Sequence, residues 1–374
     1  NLYIKPYNNE AVTIRPFYWP GNPSDWSNLR GFIARGSVDN ITVDGLTIEG
    51  FQIAFDMGSA SGSGPAMRNV TLKNIVARNF KHRDGYVGNV REFLDTPVLG
   101  DDVYGAGKVI FNDPTTAHYQ LENVILSNIE VRETDMAINI GDENDANVKG
   151  LRISKFNILN PDVGGGESSA NDGMAIVNCY KVLIDSCTIS NTIDDGIDTK
   201  SFDVVVINTY VEGATRNGVK FWRNGELINS FVYACTVIND AALVMKEGPG
   251  RIVNSIVMSK YNGYSSLLGY GIDPATAGSL EIVNSIFVDN DGPFYVVNNN
   301  MTSKNSLYYD MRGGFFQGGT GNINDVGTLN SRAGCSGNIT AHPLFTDVAN
   351  HNFTPQAGSP CVDAGTSAGV LLPT

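Results

Sequence analysis

The sequence contains the stretch Asp194-Asp195-Gly196-Ile197-Asp198, followed one apolar segment later by Asn217-Gly218-Val219-Lys220. An earlier stretch, Asn171-Asp172-Gly173-Met174, has the same order of polar residue, Gly and apolar residue. We interpret the three as one place in successive turns of a stacked-coil fold, in which neighbouring strands lie about 4.7–4.9 Å apart. In that register Lys220 lies directly over Asp198, on a ridge that carries four carboxylates, those of Asp172, Asp194, Asp195 and Asp198.

A short pattern recurs along the chain: an apolar pair spaced by one residue, a polar break that often contains Asn, and a second apolar pair. Two copies are Val124-x-Leu126 with Ile129-x-Val131 and Val182-x-Ile184 with Cys187-x-Ile189. The copies recur with a period of roughly 22 residues, which loop insertions lengthen. Asn suits the break because its short side chain tolerates left-handed backbone and can hydrogen-bond the same residue one coil away.

Two half-buried strands per repeat predict an all-β fold, a parallel β-helix of roughly ten coils that forms a single domain over residues 1–374. Crossover chirality makes the right-handed form the expectation. The alternative is a β-sandwich or a propeller, but sandwiches lack so regular a register and propeller repeats are about twice as long. We expect residues 1–35 to form the first coil, residues 79–120 a loop excursion and residues 330–374 a closing segment.

Composition limits the partners of this chain. Forty-one glycines with only 17% charged residues indicate many tight turns and a large uncharged interior. The net charge of −13 argues against a nucleic-acid partner, because no basic stripe is available to displace counterions. An acidic protein that binds an acidic polymer needs a local basic patch or a bound cation.

The chain contains no apolar run long enough to cross a membrane, so we expect no membrane association. It begins with Asn and has no signal peptide, which predicts the mature form of a secreted protein. We expect a monomer, since no feature of the sequence indicates oligomerisation.

The five cysteines show no zinc-binding spacing. Cys187 and Cys235 occupy apolar positions of the repeat, which predicts buried thiols. Cys335 and Cys361 form the pair to test as a disulfide, and the sequence leaves the bridge and the free thiols equally open.

The acidic ridge predicts a metal site. Four crowded carboxylates raise one another's pKa, and a hard cation relieves that repulsion. Ca²⁺ accepts six to eight oxygen ligands in flexible geometry, which aspartates from successive coils can supply. The alternative is that Asp194 and Asp195 only cap the turn before Gly196. Because Asp172 aligns with them one coil earlier, we favour calcium. Asp142–Asp145 offers a second acidic cluster, for which a solvated loop is the favoured reading.

Lys220 beside such an ion is a candidate base, because a nearby positive charge and partial desolvation lower the pKa of an ammonium. A reaction that needs both a base and a bound cation is β-elimination on a uronic acid. A base removes the proton alpha to the carboxylate, and a cation holds that carboxylate. Lys200 is an alternative base.

The stretches Asp194–Asp198 and Asn217–Lys220 resemble the active-site signature of polysaccharide lyase family 9, the calcium-dependent pectate lyases built on a right-handed parallel β-helix. The resemblance covers residues 172–220. It implies that Asp172, Asp194, Asp195 and Asp198 hold the catalytic Ca²⁺, that Lys220 is the Brønsted base, and that the substrate is pectate, also called polygalacturonate. The continuation Phe221-Trp222-Arg223 is bulkier than the family pattern, which bears on the substrate.

Four further residues are candidates for binding the acidic polysaccharide: Arg216, Trp222, Arg223 and Lys246. Arg216, Arg223 and Lys246 would either bind carboxylates of the polysaccharide or be solvated surface groups. Trp222 would stack on a sugar ring or pack beneath a loop. Two alternative functions stay open. One is an alginate or other uronan lyase, or a C5-epimerase, on the same scaffold; the other is a non-catalytic adhesin or tailspike with structural calcium.

Overall fold

The computed structural model describes residues 2–15, 30–34, 39–51, 53–57, 67–78, 108–112, 120–132, 134, 136–141, 147–159, 172–234, 241–246, 248–259, 265–269, 279–290, 295–296, 301–311, 323, 325–350 and 352–367. The chain forms two compact units, Asn1–Val204 and Val205–Thr374. Among the described residues, no helix has the length and apolar character needed to span a membrane.

Nearly all regular structure in the first unit is β-strand. After β1 (Leu2–Ile4) comes a 3-10 turn at Tyr7–Asn9. The later strands are β2 (Val12–Ile14), β3 (Arg30–Ile33), β4 (Asp39–Asp44), β5 (Leu46–Glu49), β6 (Ile53–Asp56), β7 (Met67–Arg78), β8 (Lys108–Asn112), β9 (Gln120–Arg132), β10 (Met136–Ile140), β11 (Asn147–Leu159), β12 (Met174–Asp185), β13 (Thr188–Ser190) and β14 (Ile197–Ile207), which begins in this unit.

Strands of the first unit pair in parallel with strands one coil away. One series runs β4, β7, β9, β11, β12, and a second runs β3, β6, β8, β10, β12. The apolar repeat positions stack in the predicted register: Val124 pairs with Leu151, and Leu151 pairs with Val182. All three side chains are buried, so each coil adds one layer to a continuous core.

The second unit repeats the same plan with shorter strands. They are β15 (Tyr210–Glu212), β16 (Val219–Phe221), β17 (Gly225–Ile228), β18 (Phe231–Ala234), β19 (Ala241–Met245), β20 (Gly250–Val253), β21 (Ile256–Ser259), β22 (Ser265–Gly269), β23 (Leu280–Val283), β24 (Ile286–Asn290), β25 (Tyr295–Val296), β26 (Met301–Lys304) and β27 (Leu307–Met311). Three parallel series result: β16–β19–β22–β25, β17–β20–β23–β26 and β15–β18–β21–β24–β27. The predicted all-β parallel β-helix is confirmed.

Asparagine turns hold the coils in register, as predicted. Asn74 and Asn128 have left-handed backbone, with φ of 53° and 51°. The Asn128 Nδ2 group donates to Asn74 Oδ1 at 2.8 Å. In the second unit, Asn284 Nδ2 donates to Asn254 Oδ1 at 3.0 Å. Each amide therefore bonds its counterpart one coil away, so a slip of register would break the bond.

A second polar ladder is buried in the second unit. The backbone N–H of Ser230 donates to Ser255 Oγ at 3.2 Å, and the N–H of Ser255 donates to Ser285 Oγ at 3.3 Å. The series continues from Ser285 to Ser306 and ends on Asn338 Oδ1. Buried polar groups cost free energy unless they are paired, and each serine hydroxyl here satisfies an N–H of the previous coil.

The end of the described chain closes the second unit and then lies along its flank. Ser336 and Ile339 form parallel bridges with Lys304 and Leu307, which adds one more layer. A short helix, α1 (Val326–Asn330), precedes this layer. An antiparallel hairpin follows, made of β28 (Phe345–Asp347) and β29 (Asn352–Pro355) around a 3-10 turn at Val348–Asn350. Its Phe345 and Phe353 pack on Met258 and Val288.

Of the two alternatives that the sequence leaves open for Cys335 and Cys361, the structure shows free thiols at both positions. Cys335 is buried, with its sulfur 3.9 Å from the Met301 carbonyl oxygen, whereas Cys361 is part of the flanking segment and is partly exposed. Cys187 is a buried thiol, as predicted. Cys235 lies outside the described residues, as does most of the expected excursion at 79–120; within that range, residues 108–112 form β8 rather than a loop.

Candidate metal centre

Two Asp-Gly pairs stand immediately before buried strands of the first unit. Asp172-Gly173 precedes β12, and Asp195-Gly196 precedes β14. The Gly173 N–H donates to the Asp195 carbonyl oxygen at 2.9 Å, and the Met174 N–H donates to that of Gly196 at 3.1 Å. The predicted alignment of Asp172 with Asp195 is therefore confirmed by the backbone hydrogen bonds.

Gly173 permits the close approach of these two coils. A Cβ atom at this position would lie 2.7 Å from the Gly196 carbonyl oxygen and 2.8 Å from Thr192 Cγ2. Any larger residue would push the Asp172 coil away from the next one. Sequence reasoning missed this positioning role, although the recurrence of Gly after Asp in both stretches was the signal that points to it.

The aspartate side chains meet in a buried cluster. Asp172, Asp194 and Asp195 each offer a carboxylate oxygen, and these oxygens lie within 4.8 Å of one another. Asp198, at the start of β14, is 8% exposed and also buried. The structure thus brings the carboxylates of Asp172, Asp194 and Asp195 together and also buries Asp198, the fourth predicted ligand.

Burial and repulsion act together on Asp172. Desolvation, followed by the charges of Asp195, Asp198 and Asp194, raises the pKa of this carboxyl to about 8. A hydrogen bond from the Asp195 N–H to Asp172 Oδ1, at 3.1 Å, opposes the rise. A divalent cation among these oxygens would replace the lost solvation and screen the like charges. The all-oxygen donor set fits a hard ion such as Ca²⁺.

Comparison with known proteins identifies no family. No family model matches this chain, and no curated protein matches it. Among solved structures, the crystal structure of the Dettilon tailspike protein is similar over 75% of this chain, with 12% sequence identity and a TM-score of 0.27. The chain spans 62% of the length of that tailspike chain. The resemblance to polysaccharide lyase family 9 stays a hypothesis.

In the second unit, Asn217-Gly218 packs tightly before β16. The Asn217 Oδ1 accepts from the Ala241 N–H at 3.1 Å, and the Gly218 N–H donates to the Ala242 carbonyl oxygen at 2.9 Å. A Cβ atom on Gly218 would lie 2.3 Å from Val232 Cγ1. Asn217 and Gly218 therefore fix the start of the strand that carries Lys220.

Lys220, Trp222 and Lys246 come together on neighbouring coils of the second unit. Phe221 pairs with Met245, which places Lys246 one coil from Trp222. The Lys246 Nζ lies 3.3 Å from the centroid of the Trp222 ring, and the Lys220 Nζ lies 5.1 Å from it. The sequence predicted that Trp222 stacks on sugar or packs beneath a loop. The structure shows a lysine ammonium over its ring, and the contact of Trp222 with sugar stays a prediction.

The other predicted residues are placed as follows. Arg216 is exposed, Arg223 and Lys200 are half-buried, and their roles stay predictions. Lys220 belongs to the second unit and the aspartates to the first, so the stacking of Lys220 over Asp198 also stays a prediction. The acidic cluster at 142–145 lies outside the described residues.

Proposed function

We propose that this chain is a secreted, calcium-dependent lyase that cleaves polygalacturonate by β-elimination. Asp172, Asp194, Asp195 and Asp198 are the proposed calcium ligands, and Lys220 is the proposed base. The observation that carries the proposal is the cluster of three buried aspartates with oxygens within 4.8 Å of one another. Asp172, Asp194 and Asp195 belong to the sequence motif on which the resemblance to pectate lyases rests.

The proposed chemistry assigns a separate task to each group. When bound, Ca²⁺ would hold the uronate carboxylate and stabilise the charge that develops on it. The neutral amine of Lys220 would take the proton from C5. The C5–H electron pair then forms the C4–C5 double bond, and the C4–O bond breaks, so the leaving oxygen departs with the released sugar chain.

The local structure suits Lys220 to this task. Val219 and Phe221 are buried on either side of it, so β16 anchors the lysine while its side chain points away from the core. Lys220 is half-buried, and its Nζ lies 5.1 Å from the centroid of the Trp222 ring.

The overall charge fits the same proposal. A chain of net charge −13 repels an anionic polymer unless cations mediate the contact. Calcium at the aspartate cluster would supply one such cation. Lys246, Arg216 and Arg223 would supply others by pairing with carboxylates of the polymer, and Trp222 would support them.

The experiment compares uronan polymers with and without a calcium chelator. Polygalacturonate, alginate and other uronans are incubated with the protein, and the ultraviolet absorbance of the new double bond is followed. We expect absorbance to rise with polygalacturonate in Ca²⁺ and to stop when the chelator is added. If only alginate is cleaved, the substrate is alginate and not polygalacturonate. Epimerised sugar without absorbance would indicate a C5-epimerase. Calcium binding without any reaction would indicate a structural ion in a non-catalytic β-helix.

A further inference from the structure

The outer face of the second unit carries an apolar row at a place where the first unit carries polar residues. Ile228 pairs with Val253, and Val253 pairs with Val283 on the next coil, and each of the three precedes a left-handed Asn. In the first unit the residues that precede the same left-handed turn are polar and half-buried, namely Asp44, Lys73, Ser127, Ser154 and Asp185. The apolar row of Ile228, Val253 and Val283 therefore departs from the plan of the first unit.

The apolar row faces away from the core but is buried. Side chains alternate along β17, so Leu227 faces the core, while Ile228 lies on the outer face together with Glu226. The Glu226 side chain is 38% exposed. By contrast, Ile228 and Val253 are 0% exposed and Val283 is 2% exposed. An outward-facing side chain is buried to this extent only where another part of the molecule covers it.

The cover of the apolar row belongs to this chain. The row forms a cluster of its own, against which Val205 and Ile207 pack. Both of these residues lie on β14, the strand that pairs with β17, so they extend the row to one more coil and do not lie over it. Because the structure contains a single chain, the segment that covers the row is part of the same polypeptide.

Residues 361–367, here called the strap, run toward the apolar row. Asn305 Nδ2 donates to the Ala364 carbonyl oxygen at 3.0 Å. One coil earlier, Asn284 Nδ2 donates to the Thr366 carbonyl oxygen at 2.7 Å, and the Thr366 N–H donates to Asn284 Oδ1 at 2.8 Å. The strap thus moves back by one coil in two residues, in the direction of the coils that carry the row.

The residues that follow the strap in the sequence have the length and the composition that the apolar row requires. They read Ala368-Gly369-Val370-Leu371-Leu372-Pro373-Thr374 and lie outside the described residues. An extended segment of seven residues spans up to about 23 Å. Val283 and Ile228 are separated by two coil steps of about 4.8 Å each. The segment is therefore long enough to cross the row with three apolar side chains.

We propose that residues 368–374 continue the strap and dock on the row of Ile228, Val253 and Val283 through their apolar side chains. The Asn284 amide holds the start of this segment by its two hydrogen bonds to Thr366. The docked segment would bind successive coils of the second unit to one another. This inference concerns the flank of the second unit and does not depend on the proposed lyase reaction.

A double-mutant cycle on the unfolding equilibrium tests the contact. One change is a truncation after Ser367, and the other is Ile228→Ala. Leu227→Ala is the matched control, because Leu227 is the neighbour of Ile228 on β17 and is equally buried, but it faces the core. The equilibrium constant of unfolding is measured by denaturant titration in the full chain and in the truncated chain.

We expect the truncation alone to raise the unfolding constant at least about tenfold, since burial of one Val or Leu side chain is worth that much. The effect of Ile228→Ala should be smaller in the truncated chain than in the full chain by at least about twofold, because residues in contact are coupled. Leu227→Ala should have the same effect in both chains. A truncation without effect, or one whose effect is additive with that of Ile228→Ala, overturns the proposal.

Hydrogen exchange of the full chain gives a second readout, which decides the question if circular dichroism shows that the truncated chain does not fold. Exchange of the amides of residues 368–374 is followed by mass spectrometry. We expect exchange at least about tenfold slower than in an unstructured peptide. Val253→Thr places a hydroxyl in the row and should accelerate it severalfold, whereas Ser127→Ala, at the corresponding place of the first unit, should not. Exchange at the rate of an unstructured peptide in the wild type would overturn the proposal.

Discussion

The backbone N–H of Asp195 donates a 3.1 Å hydrogen bond to Oδ1 of Asp172, which joins two acidic residues from successive coils. Because the bond stabilises the ionised form of Asp172, it opposes the repulsion that its neighbours exert. The crowding of these carboxylates lowers the stability of the folded protein by an amount that depends on pH and on bound cations.

The stability of the calcium-free protein should fall as pH rises. The pKa of Asp172 is raised from 3.8 to about 8, so the folded state keeps a proton that the unfolded state releases in this range. The unfolded state binds fewer protons, and stability is therefore lost progressively from about pH 4 to pH 8. Denaturant unfolding in a chelator should show a loss of a few kcal/mol. Asp172→Asn should flatten the profile, and an unchanged slope in that variant would assign the effect to other groups.

Calcium should bind at the aspartate cluster. Asp195→Ala removes one of three oxygens that lie within 4.8 Å of one another, so Ca²⁺ affinity measured by calorimetry should fall at least about tenfold. Asp203→Asn, an exposed aspartate of the same unit, is the control and should bind as the wild type does. Equal affinities in Asp195→Ala and the wild type would place the ion elsewhere.

Lys220→Ala should abolish the double-bond absorbance, because general-base catalysis contributes roughly 10²–10⁴-fold to a rate. Circular dichroism should show an unchanged fold, since Lys220 is only half-buried. Lys200→Ala tests the alternative base and should retain activity. The proposed roles would be reversed if Lys200→Ala were inactive and Lys220→Ala active.

Gly173→Ala should both destabilise the protein and weaken Ca²⁺ binding. The new Cβ would meet the Gly196 carbonyl oxygen at 2.7 Å, so the two coils that carry the aspartates must separate. Overpacking of this kind costs about 1–3 kcal/mol. Gly365→Ala, whose Cβ would meet only ordinary contacts at 3.4 Å, is the control. Normal Ca²⁺ affinity in a destabilised Gly173→Ala would show that coil spacing does not position the ligands.

The buried polar ladder of the second unit, which runs through Ser230, Ser255, Ser285 and Ser306, should contribute to the stability of the fold. Ser255 Oγ accepts from the Ser230 N–H at 3.2 Å and donates to the Val253 carbonyl oxygen at 2.9 Å. Ser255→Ala leaves a buried N–H unsatisfied and should lower the free energy of unfolding by about 1–3 kcal/mol. Ser331→Ala, at an exposed helix end, should change it by less than about 0.5 kcal/mol.

Much of the fold followed from local patterns. Alternating apolar residues determine which side chains enter the core of a strand, and this alternation predicted the buried positions Val124, Leu151 and Val182. The Asn residues at the breaks predicted both the left-handed turns and the amide bonds between coils. Repetition made these predictions reliable, because each coil presents the same positions to the next.

The repeat does not predict the structure of the segment that follows the last coil. The flanking hairpin of Phe345 and Phe353 departs from the coil pattern, and no periodicity predicts where it packs. The repeat also does not predict the state of Cys335 and Cys361. Cys335 lies inside a coil and Cys361 in the flanking segment, and both thiols are free.

The sequence by itself determined that the chain coils, and that Asp172 stands one coil from Asp195, because both properties follow from strand alternation and a recurring Asp-Gly. Only the tertiary structure decided how deeply the carboxylates are buried and that Lys246 lies over Trp222. The burial of the carboxylates and the position of Lys246 depend on how side chains from different coils pack. Residue spacing along the chain does not encode that packing, because distances and desolvation in the folded protein govern it.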